Sequence, residues 1–119
     1  MLGIDIIEVE RIEKNLQNPS FLQKILTEQE IKYVNQFESK IEHIAGFFCA
    51  KESVMKALED CSNITFKNIE VLHKGNGKPY VKLYGKALEV FEKGNYKSIE
   101  ISISQTKSVA TAVCVINSN

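Results

Sequence analysis

"GFFCAKESVMKAL", residues 46–58, has the spacing of a buried helix, yet it carries Lys51 and Glu52 side by side at its middle. Upstream, Ser39 with Glu42 three residues on forms a capping-box pattern, so the spacing predicts one long helix from Lys40 to about residue 60. Placed 100° apart around the axis, Ile41, Ile44, Phe47, Phe48, Val54, Met55 and Leu58 gather into a broad apolar stripe. Lys51 falls inside that stripe, Glu52 lies at its edge, Lys56 follows one turn later on the line of Glu52, and Ala50 and Ser53 are expected to face away. Burying a charge is costly even when it is paired, so stability alone does not explain the arrangement. Two readings stay open. In one, Lys51 runs its apolar stem along the core edge and Glu52 pairs with Lys56 within the helix. In the other, Glu52 points into a cleft to hold a metal and the lysines meet phosphate.

Working outward, "LGIDII" reads as a first strand and "VERIEKNLQ" as a one-sided helix through Val9, Ile12 and Leu16, broken by "NPS". Thr27 with Glu30 is another capping box and predicts a helix from Glu28. "NIEVLH" and "PYVKLY" flank "KGNGK", in which Asn76-Gly77 signals a hairpin. "GKALEVFEKGN" reads as a short helix facing inward through Ala87, Val90 and Phe91, with Gly94 near its end. "KSIEISIS" alternates Ile99, Ile101 and Ile103 inward, and "VATAVCVI" is apolar enough for the centre of a sheet. The expected fold is α+β, an antiparallel sheet packed against the long central helix, with residues 1–119 forming one domain.

Composition narrows the function classes. Fifteen basic and fifteen acidic residues cancel, so no global field argues for nucleic acid or membrane binding. Cys49, Cys61 and Cys114 are odd in number and widely spaced, which fits neither a disulfide framework nor a metal knuckle; they are expected as small core hydrophobes in a reducing, cytoplasmic protein. No run approaches membrane-spanning length. His43 and His73 have no ligand-spaced partner and are read as packing or surface residues.

Asp5 bears on the puzzle of the helix. Aspartate is depleted in strands, and here it interrupts "GIDII", taking the face opposite Ile4 and Ile6 and shared with the side-chain-less Gly3. It is either an edge residue facing water or, with Glu52, one of two carboxylates for Mg²⁺, an ion commonly held by one or two carboxylates together with waters and substrate phosphates.

"GIDIIEVERI" followed downstream by "FCAKESVMKAL" resembles the two-part signature of the 4′-phosphopantetheinyl transferases, a G-x-D segment and then a W/F-x-x-K-E-x-x-x-K segment; the matching residues are Gly3, Asp5, Phe48, Lys51, Glu52 and Lys56. "FLQKILTEQEIKY", "NGKPYVKL", "YGKAL" and "ISISQTKSVATAVCVI" are similar to further segments of the short bacterial branch, in the same order, so the likeness spans nearly the whole chain. The resemblance implies transfer of the phosphopantetheine arm of coenzyme A to a serine of apo acyl carrier protein. It also implies Mg²⁺ on Asp5 and Glu52, with Glu52 as general base directly or through a water, and Lys56 steadying the leaving phosphate. It assigns coenzyme A contacts to Lys51, Lys56, Asn76, Gly77, Lys78, Pro79, Gln105 and Thr106, carrier-protein contacts to Arg11 and Lys14, and a homotrimer with sites between subunits. Two positions depart from the pattern: Gln105 stands where a histidine is usual and Phe47 where an arginine is common. The rival readings are a metal-dependent nucleotide phosphohydrolase using the same carboxylates, and a non-catalytic module meeting an acidic partner through Arg11, Lys14 and Lys24.

Overall fold

The structure is a computed structural model that describes residues 1–119. Its elements run β1 (Leu2–Glu8), α1 (Val9–Asn15), α2 (Phe21–Ile25), α3 (Glu28–Val34), α4 (Lys40–Ala57), a 3-10 turn (Phe66–Asn68), β2 (Ile69–His73), β3 (Pro79–Leu83), α5 (Gly85–Lys93), β4 (Tyr96–Gln105) and β5 (Val109–Ser118). The strands form two antiparallel sheets, β1-β5-β4 and the hairpin β2-β3, with β3 lying against β4. The apolar last strand takes the middle of the larger sheet, as its composition predicts. No helix is long and apolar enough to cross a membrane.

The register explains how the 18-residue α4 sits so close to that sheet. Gly3 pairs with Cys114, Asp5 with Ala112 and Ile7 with Ala110, so one face of β1 and β5 is built mostly from small side chains. A methyl group at Gly3 would lie 1.8 Å from the carbonyl oxygen of Ser53, so only glycine lets the β1 backbone rest directly on the helix. α4 is also covered by α1, α3 and β2 from its other sides. Ala50 and Ser53 are therefore fully buried rather than turned outward, and the Ser53 hydroxyl is satisfied by donating to the Ala50 carbonyl at 2.7 Å.

Other expectations need correction. The Thr27–Glu30 capping box forms, with the Glu30 amide donating to the Thr27 hydroxyl and the Thr27 amide to the Glu30 carboxylate. The Ser39–Glu42 box does not; Ser39 sits at φ −82°, ψ 42°, and its hydroxyl and carbonyl meet His43 instead. α4 stops at Ala57, where Leu58 turns extended. Gly94 ends α5 in right-handed geometry, and the left-handed residue is Asn95 at φ 56°. The hairpin expected at Asn76-Gly77 forms, joining β2 and β3, and in its turn only Gly77 has a positive φ, 86°. Cys49 and Cys114 are buried as expected, whereas Cys61 is exposed.

Candidate active site

Asp5 and Glu52 meet. Asp5 follows Gly3 on the helix-facing side of β1, its backbone carbonyl fixed by the Thr111 hydroxyl at 2.8 Å. Together with Ile6, Ile7, Arg11, Asn15, Phe48 and Glu52 it lines a cavity of about 230 Å³ between β1, α1 and α4. Burial pushes the Glu52 carboxyl above its ordinary value, the charge of Asp5 pushes further, and the Lys56 ammonium opposes both. Lys56 does not pair with Glu52 along the helix. It reaches across to β1, donating to Asp5 Oδ1 at 3.2 Å and to the Ile4 carbonyl at 3.0 Å.

Two half-buried carboxylates supply the oxygen donors of the pocket, with Lys56 on Asp5 and Arg11 in the cleft lining as the neighbouring cations. No third ligating His, Cys, Asp or Glu joins them. That donor set suits a hard divalent cation that fills its other positions with water and phosphate, and a cation there would relieve the repulsion that raises Glu52. Beneath it, burial and the neighbouring Asp5 push the Cys49 thiol up to about 12, so it stays protonated and unreactive.

Lys51 is elsewhere. Both open readings of the sequence leave its ammonium near solvent, but the structure buries it completely, against Glu30 at 2.6 Å and the carbonyls of Ile25 at 2.5 Å and Phe66 at 3.1 Å. All three of its protons are engaged, so no donor remains for coenzyme A. Desolvation lowers its pKa, and the charge and hydrogen bond of Glu30 oppose that. Sequence reasoning found Glu30 only as a cap residue; the signal it passed over was that a lysine inside an apolar stripe requires a carboxylate from another element.

Arg11 stands at the mouth of the carboxylate cleft and, with Lys14, also lines an adjoining cavity of about 470 Å³ along the edge of β1. Asn15, which the sequence gave no reason to single out, follows Arg11 at helical spacing and lines the same cleft. The remaining expected contacts are dispersed within one chain. Lys78 and Pro79 border a separate cavity of about 80 Å³ beside Ile99 and Ile101. Asn76 and Gly77 shape the turn, the Asn76 side chain accepting from the Lys78 amide at 3.0 Å. Gln105 packs against the bare backbone of Gly46, and the Thr106 hydroxyl accepts from the amides of Ser108 and Val109 to close the β4–β5 turn. Phe47 is buried and does not face the cleft; it stacks on Tyr33 with centroids 5.6 Å apart and lies 5.9 Å from His73, while Tyr33 and His73 stack at 4.0 Å. Both histidines are packing residues, as expected.

A family model described as the 4′-phosphopantetheinyl transferase superfamily matches residues 1–114, and the chain belongs to that family. Among individual relatives it is 43% identical to a holo-(acyl-carrier-protein) synthase of Thermoanaerobacter sp., over 96% of this chain and 84% of that protein. A synthase of the same name from Alkaliphilus metalliredigens is 44% identical over 96% and 95% of the two chains. The fold is similar to the Helicobacter pylori holo-(acyl-carrier-protein) synthase in complex with coenzyme A, with a TM-score of 0.84, 32% identity and coverage of 98% of this chain and 100% of that one. The Bacillus anthracis enzyme, in complex with coenzyme A (3′,5′-ADP), gives a TM-score of 0.82 at 34% identity, covering 99% and 96%.

Proposed function

We propose that this protein transfers the 4′-phosphopantetheine arm of coenzyme A to a serine of apo acyl carrier protein, forming the holo carrier and adenosine 3′,5′-bisphosphate. The observation that carries the reading is the pairing of Asp5 with Glu52 in one cleft, in a chain similar to such synthases over nearly its full length. In the reaction the serine oxygen bonds to the phosphorus that bears pantetheine, and the bond from that phosphorus to the nucleotide phosphate breaks. Asp5 and Glu52 hold Mg²⁺; when bound, the ion neutralises the pyrophosphate charge that repels an incoming oxygen. Glu52 accepts the serine proton, directly or through a water, a role that its raised pKa suits. Lys56, held at the rim by Asp5 and the Ile4 carbonyl, offers its ammonium to the departing phosphate. Arg11 and Lys14, both exposed on α1 beside the cleft, meet the acidic carrier.

The nucleotide contacts, Asn76, Gly77, Lys78, Pro79, Gln105 and Thr106, lie outside the carboxylate cleft of one chain. A homotrimer in which a neighbour completes each site accounts for this. The outer face of the larger sheet supports it: Leu2, Ile4 and Ile6 are 66–71% exposed, and register sets Leu2 beside Val115 and Ile4 beside Val113. With all 119 residues serving as one domain, Ile4→Asp should shift sedimentation from trimer to monomer, and a wild-type monomer would remove the assembly. Unpaired cysteines suit a cytoplasmic, reducing setting. Incubation with apo carrier protein, coenzyme A and Mg²⁺, followed by mass spectrometry of the carrier, tests the function. A gain of one phosphopantetheine is expected, and an unmodified carrier refutes the reading.

A further inference from the structure

The most completely buried charges in the molecule lie outside the carboxylate cleft. Lys51 and Glu30 are each fully enclosed, and the carboxylate of Glu30 accepts not only the Lys51 ammonium but the Thr27 amide at 2.8 Å and the Val71 amide at 2.7 Å. The Lys51 ammonium also closes the last carbonyl of α2 and the Phe66 carbonyl. The network therefore ties α4 to α2, α3, the 3-10 turn and β2 at a single point, and no buried side-chain nitrogen or oxygen lacks a partner.

Such a pair is a poor way to gain stability, because well-packed apolar residues of similar volume usually hold two elements as well or better. Its distinguishing property is direction. Apolar contacts allow a helix to slide or rotate by fractions of a turn, whereas five hydrogen bonds converging on one ion pair are satisfied in one arrangement only. Lys51 immediately precedes Glu52. On the other side Ser53 bears on the backbone of Gly3, where no side chain intervenes. Glu52 thus sits between two adjacent points at which α4 is fixed, one to the helical layer and one to β1.

We propose that Lys51 and Glu30 are positioning residues for Glu52, locking the rotation and height of α4 so that the Glu52 carboxylate stays opposite Asp5. The pair acts on the reaction only through Glu52, and the proposal rests on the reading of Asp5 and Glu52 as metal carboxylates.

The test is the double variant Glu30→Gln with Lys51→Met. It removes both buried charges together, and the glutamine oxygen still accepts from one of the two backbone amides that Glu30 serves. Mn²⁺ binding to the otherwise metal-free variant is followed by electron paramagnetic resonance, alongside the melting temperature. The expected result is a loss of Mn²⁺ affinity of about 10- to 100-fold, the range for residues that orient metal ligands. A purely structural pair would instead shift the melting temperature and leave Mn²⁺ affinity at the wild-type value, which overturns the proposal. Should the double variant fail to fold, Lys51→Met alone leaves Glu30 its two backbone amides; weakened Mn²⁺ binding is expected there too, and unchanged binding overturns the proposal. Glu52→Gln is the control. If it binds Mn²⁺ like wild type, the metal reading itself fails and the positioning role with it. If it loses Mn²⁺ while the pair variants do not, only the positioning role fails.

Discussion

Two neighbouring residues of α4 use the same functional groups to opposite ends. Lys51 and Glu30 have side chains that are 0% exposed, each polar atom matched to a partner. One position further on, Glu52 faces another carboxylate, and the lysine that serves the pair is 52% exposed. A sealed ion pair spends its charge on geometry, because nothing is left over to bind. An open pair of carboxylates keeps its charge unspent and is destabilised for it, a condition consistent with the proposed role in holding a cation.

The comparison can be broken from either side. The largest effect is expected from Glu30→Ala, which strands the Lys51 ammonium in the core and should cost about 3–5 kcal/mol in urea denaturation. A loss below 1 kcal/mol would mean that water reaches Lys51 and the pair is not sealed. On the open side, Glu52→Gln should lower the rate of transfer by about 10³-fold, some 4 kcal/mol of lost transition-state stabilisation, measured by carrier modification at saturating Mg²⁺. The same variant should melt no lower than wild type in EDTA. Asp5→Asn keeps Glu52 and one oxygen donor, so a smaller effect is expected: the Mg²⁺ concentration for half-maximal activity rises about tenfold, equivalent to 1.4 kcal/mol. Unaltered Mg²⁺ dependence would remove Asp5 from the site.

The smallest effect sharpens the contrast through pH. The Glu52 carboxyl titrates above the ordinary glutamate value, first because it is buried and then because Asp5 is near. The folded protein therefore keeps a proton that the unfolded chain has released, and the stability of the metal-free protein falls as pH rises between the two values. Thermal melts in EDTA from pH 4 to 7 should show this decline in wild type and its loss in Glu52→Gln. Parallel curves would mean that Glu52 is not under strain.

Much of this was legible before any coordinates. Alternation placed Asp5 opposite Ile4 and Ile6, and the apolar run placed β5 at the middle of its sheet. The partner of Lys51 was not legible, because Glu30 comes from a helix twenty-one positions earlier and already had a local explanation as a cap. The outward facing expected of Ala50 and Ser53 failed for a related reason. Helical periodicity presumes one wet side, and α4 is covered on several, so small residues there mark close approach rather than exposure. Lys56 illustrates the competition between local and distant partners. Helical spacing favoured Glu52, but Asp5 and the Ile4 carbonyl together offer two acceptors on one strand.

The width of the cleft is set by an atom that is missing. With glycine at position 3, β1 descends until its main chain touches that of α4, and Asp5, two residues along the same face, inherits that distance from Glu52. The Cβ of an alanine would wedge strand and helix apart, opening the jaws of the site without altering any of its teeth. If Asp5 and Glu52 hold an ion as proposed, its affinity is a tolerance held by the smallest side chain in the chain, and adding a single carbon at Gly3 would lower it.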